Sequence, residues 1–192
     1  MKVLRASDYK RMPWKNGGGE TAEIAVFPHG AAFSEFGWRI SMATVAVDGP
    51  FSAFPGVDRT LTILSGTGME LAIDGRAPTT LDPQSVPLAF PADVATSARL
   101  TGGIVVDLNV MTRRDAFTHH VERLALPHIG RRNEATEFLF CSAGTIMLET
   151  EAGRFELQAF DCAAIPSEST VLSVSGHGAA LMIEIHPADR AS

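Results

Sequence analysis

The chain has 192 residues, 45% apolar and 20% charged, so it can bury a core of ordinary size. Sixteen basic against twenty-two acidic residues leave a net charge of −6, which argues against nucleic acid and an anionic membrane as partners, since both need a basic face. Arg supplies thirteen of the sixteen cations. Its planar fork suits carboxylates, although base-rich genomes favour it equally.

In chain order, "MKVLRASDYKRMPW" has no apolar run of secretory length, and no later segment approaches the roughly twenty apolar residues of a membrane span. A cytoplasmic protein is expected. "MPWKNGGGETAEI" (12–24) follows. Three successive glycines permit positive φ and can aim free N–H groups at an anion; a plain hairpin is the alternative. Trp14, Asn16, Thr21 and Glu23 surround them.

Helical periodicity is nearly absent, and short β-rich runs alternate with Gly, Pro and Asp. "ETAEIAVFP" puts Thr21 and Glu23 on one face, and "GWRISMATVAV" does the same for Arg39 and Ser41. "RTLTILSGTG", "MELAIDG" and "SVPLAFP" come next, with "AIDGRAP" carrying an Asp-Gly hairpin signal. "GGIVVDLNVM" puts Asp107 and Asn109 together, with the solvent face of a sandwich as an equal alternative to a pocket.

Residues 111–136 form a polar joint, part of which is expected to pair with a sheet. "EFLFCSAG", "TIMLET", "RFELQAFDCAAIP", "TVLSVSG" and "ALMIEIHP" complete the series. Cys141 and Cys162 lie in apolar strands and read as small buried hydrophobes. Sliding the chain so that Leu61 meets Phe138 brings "GGIVVDLNV" onto "AALMIEIHP". Two β modules of one architecture are expected, over residues 1–112 and 113–192.

The stretch "GPFSAFPGVDRTLTILSGTG" (49–68) resembles the first motif of the cupin superfamily, and Pro91 fits its second. Gly49 and Gly68 stand in register, but Pro55, Val57, Leu61 and Thr96 stand where the metal ligands would. Such side chains cannot form an imidazole and carboxylate set, so no metal and no cofactor is expected. The resemblance implies two tandem jelly-roll barrels, an all-β bicupin. Its register puts Arg59 inside the first barrel, where an unpaired charge would be costly. Thr21, Glu23, Arg39, Ser41, Asp107 and Asn109 are the polar groups expected to converge there. Two arginines in one pocket would select a small anionic metabolite.

"PWKNGGGET", "WRISMATV", the 49–71 stretch and "DLNVMTRR" together resemble the HutD/Ves family. That resemblance implies a metal-free cytoplasmic protein. HutD members are thought to bind a histidine-degradation metabolite, such as urocanate or a formylated glutamate, and to limit the pathway; Ves members are stress-related and of unknown activity, and the sequence alone does not separate the two branches. Carried over by motif, it implies Asn16, Thr21, Arg39, Asp58 and Arg59 as pocket residues. In a regular strand Asp58 faces away from Arg59; a turn at "PGVD" would break that alternation.

Two other classes stay open. One is a metal-independent enzyme with Glu23 or Asp107 as base, His186 falling at Asn109's place in the repeat. No nucleophile–His order stands out, so no catalytic residue is assigned. The other is a scaffold that homodimerises, with "FLFCSAG" as an interface strand.

Overall fold

The computed structural model describes residues 1–131, 135–166 and 171–188. Among these there is no α-helix, only a 3₁₀ turn at Ala6–Asp8 between strands. No helix is long and apolar enough to cross a membrane. The chain divides into two compact units, Lys10–Thr118 and Met1–Tyr9 with His119–Ser192.

Strand β1 (Lys2–Leu4) belongs to the second unit, although it was counted with the N-terminal half from sequence. The first unit holds β2 (Lys10–Pro13), β3 (Gly19–Phe27), β4 (Trp38–Val45), β5 (Gly49–Pro50), β6 (Val57–Ser65), β7 (Met69–Ile73), β8 (Thr79–Leu81), β9 (Leu88–Pro91), β10 (Thr96–Leu100) and β11 (Val105–Arg113). They form two antiparallel sheets, ordered β2-β3-β4-β11-β6-β9 and β5-β10-β7-β8. Alternation puts Leu61, Ile63, Ala43 and Val45 of the larger sheet in one core with Leu71, Ile73 and Ala98 of the smaller. The Asp-Gly signal is met by the β7–β8 hairpin, where Gly75 takes φ +77° and the Arg76 amide donates to the Ile73 carbonyl at 3.0 Å.

The second unit continues with β12 (Phe117–Leu124), β13 (His128–Arg131), β14 (Thr136–Ala143), β15 (Thr145–Thr150), β16 (Gly153–Gln158), β17 (Cys162–Ile165), β18 (Val171–Gly176) and β19 (Ala179–Pro187). Its sheets run β1-β17-β14-β19-β12 and β13-β18-β15-β16. "RFELQAFDCAAIP", expected as one strand, breaks into β16 and β17. Phe160 takes φ +73°, and the Asp161 carboxylate accepts from the amides of Gln158 (3.1 Å) and Ala6 (2.9 Å). Cys141 and Cys162 are free and fully buried, and burial pushes the Cys141 thiol up to about 11.

Two expectations are corrected. No sheet closes into a barrel. Prolines are one reason: Pro87 and Pro91 flank and end β9 and Pro13 ends β2, and proline cannot donate to a further ladder. The short edge strands β5 and β8 stop the smaller sheet.

The repeat is real in strand order, since β9-β6-β11-β4 recurs as β17-β14-β19-β12 and β5-β10-β7-β8 as β13-β18-β15-β16. The register expected from sequence, however, is wrong. Each β6–β11-type pair carries one bulge, which joins Ile63 to Asp107 in one unit and Cys141 to Ala180 in the other. With the bulges superposed, Leu139, not Phe138, matches Leu61, and Met182, not His186, matches Asn109. The first misplacement is one residue, which exchanges the two faces of a strand, and the second is four, so no single slide of the chain could bring both strands into register.

Candidate functional site

The concave side of the first unit's larger sheet lines a cavity of about 800 Å³. Met111 of β11 is the register partner of both Arg39 on β4 and Arg59 on β6. The two arginines therefore stand in one cross-strand row, their Cα atoms roughly 10 Å apart. One step along the sheet lies the row Ser41, Asn109, Leu61; the next holds Ala43, Asp107, Ile63.

Arg39 is 2% exposed. Its Nε donates to Glu23 at 2.9 Å and its Nη1 to the Ser41 hydroxyl at 3.4 Å, while Phe33 lies 4.7 Å from the guanidinium carbon. A bulge in β3 just after Glu23 shifts the register against β4 there. Arg59 is 6% exposed and sits among the rings of Phe51, Phe54 and Phe90, at 5.3, 5.3 and 5.8 Å. Its Nη2 donates to the Ser52 carbonyl at 3.4 Å. Arg39 Nη2 and Arg59 Nε are buried with no hydrogen-bond partner. An unmet N–H on a desolvated cation is costly unless something else fills it.

Asp107 is 1% exposed, although it stands only third in β11. Burial pushes its carboxyl up to about 7; the Arg59 charge and the hydrogen bond from Asn109 Nδ2 offset part of that. Burial likewise pushes Arg59 down to about 10; Asp107 works against this shift and Arg39 adds to it.

The glycine run is not an anion nest. The Gly17 amide donates to the Trp14 carbonyl at 3.0 Å and the Gly18 amide to Asn16 Oδ1 at 3.0 Å, so both N–H groups are used inside the turn. Trp14 Nε1 donates to the Thr21 hydroxyl at 2.8 Å, closing this wall of the cavity. At Gly19 a Cβ would meet the Thr44 carbonyl oxygen well inside contact distance. Gly19→Ala is therefore expected to cost at least about 2 kcal/mol in urea unfolding.

Of the residues expected from sequence, Asn16, Thr21, Arg39, Ser41, Arg59, Asp107 and Asn109 line the cavity, and Glu23 reaches it through Arg39. Asp58 does not. The turn at Gly56 (φ +71°) ends before β6, alternation holds from Val57, and Asp58 pairs outside with Arg114 at 2.8 Å. Sequence reasoning missed the aromatic groups Phe33, Phe51 and Phe54. "FSAF" lies inside the stretch read for its glycines, and Phe33 sits in an irregular loop with no periodic signal. The metal-ligand positions are apolar or turned away: Val57 and Leu61 are core residues and Pro55 is exposed. Among the described residues no group of three His, Cys, Asp or Glu could hold a metal ion.

The second unit has no such constellation at the matching places. Superposed bulges put Ala180 at Asp107, Met182 at Asn109 and Glu137 at Arg59. Leu139, Cys141, Leu148, Leu157, Val174 and Met182 fill its interior with apolar atoms.

Paired antiparallel sheets around a polar-floored cup define a cupin-like protein. The same fold occurs in a conserved barrel protein from Leptotrichia buccalis (10% identity, TM-score 0.61, covering 96% of this chain and all of that one). The chain belongs to the HutD family, whose profile matches residues 6–182. It is 32% identical over 195 aligned positions to an uncharacterised 21.2 kDa protein in the hutC 3′ region of Pseudomonas putida, covering 96% of this chain and 97% of that one. A HutD structure from Pseudomonas fluorescens SBW25, described as a formate condition, superposes with a TM-score of 0.82 at 32% identity, covering 97% and 98% of the two chains.

Proposed function

We propose that the first unit binds a small carboxylate metabolite without a metal, in the urocanate or formyl- and formimino-glutamate class, and that this binding regulates histidine utilisation. The observation that carries the reading is the pair of buried guanidiniums, each with an unfilled N–H, at one cavity. Arg39 and Arg59 would grip the carboxylate, Asn109 and Ser41 would orient the rest, and the aromatic rings would cover its apolar part. The hutC-region relative and the formate-condition HutD structure support the pathway and the anion chemistry. The recurring strand order supports a bicupin in which the second, filled unit is structural.

Thermal unfolding with urocanate, N-formylglutamate, formiminoglutamate and formate tests this. At one hundred times its dissociation constant a true ligand adds about 2.7 kcal/mol. No shift with any of them overturns the proposal.

A metal-independent enzyme is favoured by one observation, a buried carboxyl at about 7 in the cavity, suited to proton transfer. Sustained turnover of one of these compounds by chelator-treated protein, lost in Asp107→Asn, would establish it.

A further inference from the structure

The cavity holds two cations and two carboxylates. Glu23 of β3 already engages Arg39 of β4. Asp107 of β11 shares the field of Arg59 of β6. The remaining charged groups of the lining are at its exposed rim: Lys15, between β2 and β3, and Asp48, before β5, which accepts from the Leu100 amide at 2.7 Å. Strand β10 contributes only Ala98 to the lining.

A carboxylate arriving on the two guanidiniums is a third anion for two cations. Glu23 is 22% exposed at its side chain and keeps its direct bond to Arg39. Asp107 is 1% exposed, so water cannot solvate its charge once Arg59 turns to the ligand. Two carboxylates competing for one cation in a dry site are resolved by a proton. Asn109 Nδ2 already holds Asp107 Oδ1, leaving Oδ2 as the atom to carry it.

Resting on the carboxylate-binding reading, we propose that the cavity takes up its anion together with one proton from solvent, and that this proton settles on Asp107. Asp107 is then an O–H donor inside the site and a specificity-determining residue. It accepts a ligand with a carbonyl or second carboxylate oxygen beyond the arginine-bound end. It disfavours a free ammonium group there, which would need an ionised Asp107. The only bond made is O–H, and the one proton taken up cancels the charge of the one carboxylate that the arginines hold.

Calorimetric titration of the wild-type protein with N-formylglutamate, in two buffers of different ionisation enthalpy near pH 7.5, reads the proton directly. Neither carboxylate of that probe titrates in this range. The expected result is uptake of about half to one proton per ligand, with affinity falling by up to about tenfold per pH unit above about pH 7. Asp107→Asn removes both the uptake and the pH dependence. Binding with no buffer dependence overturns the inference and leaves the carboxylate reading standing. Uptake that persists in Asp107→Asn overturns the assignment to Asp107. Absence of binding between about pH 5.5 and 8.5 by N-formylglutamate, and by urocanate, formiminoglutamate and formate in the same titration, overturns the carboxylate reading and this inference with it. If the variant fails to fold, the wild-type buffer dependence still decides.

Discussion

Arg59→Met should reduce carboxylate affinity by about two orders of magnitude or more. Removing one partner of a buried charge-assisted contact costs 2–5 kcal/mol, and about 1.4 kcal/mol is tenfold. Met fills much of the same volume against Phe51, Phe54 and Phe90. The loss should therefore come from charge and not from a collapsed wall. Asp107 loses its nearest cation in this variant and keeps its proton to higher pH. Ligand-free stability near pH 6 should change little, because replacing a buried charge by a fitting apolar group is often neutral or favourable.

Arg59→Lys separates charge from geometry. It keeps a cation but loses the planar fork, so an intermediate loss of about tenfold is expected. Trp14 lines the same cavity, and quenching of its fluorescence reports binding in each variant. Unchanged affinity in Arg59→Met would remove this residue from the site. Unchanged affinity in Arg39→Met as well would empty the proposal.

The all-β class, the pairing of like-sided polar residues and the inward arginines were legible in the sequence. The class rests on the series of short β-rich runs, the like-sided pairs (Arg39 with Ser41, Asp107 with Asn109) on strict alternation along one strand, and the inward face of Arg59 on the resemblance to the cupin motif's register. What failed depended on events between strands. Bulges at Val106/Asp107 and Cys141/Ala143 set how the halves correspond, and an inserted residue leaves no compositional trace. Strand β1 leaves its sequence neighbours to pair with β17, a non-local choice that "KVL" alone cannot signal. The glycine run had two physically sound readings. The side chain of Asn16 and the approach of Thr44 to Gly19 decided between them, and neither is a local feature.

Asp107→Asn should alter how stability depends on pH, and the sign follows from the direction of the shift. The folded carboxyl lies at about 7, raised from an ordinary value of 3.8. Below about pH 4 both folded and unfolded chains hold the proton, and the group is neutral in each. Between about 4 and 7 the folded state keeps a proton that the unfolded state has released. Unfolding is then favoured as pH rises, by up to about 1.4 kcal/mol per unit. Above about 7 both states are ionised and the slope ends.

The wild-type protein thus carries a penalty of up to about 4 kcal/mol at pH 8 that is absent at pH 4. Asparagine cannot ionise, so its stability relative to wild type should climb across that window and then level off. Taking the difference between the two proteins cancels groups that act oppositely. Asp93, held low chiefly by the hydrogen bond from Arg114, is one of them. The Arg59 charge already acts within the folded carboxyl's value of about 7, so losing that pairing in the variant adds no separate slope, and Arg59 itself stays charged below about pH 10. Urea unfolding at pH 4.5, 6 and 8 reads the climb as a widening gap in midpoints in favour of the variant. A constant gap would mean that Asp107 titrates as an ordinary solvated carboxylate, and the cavity floor would then be wet.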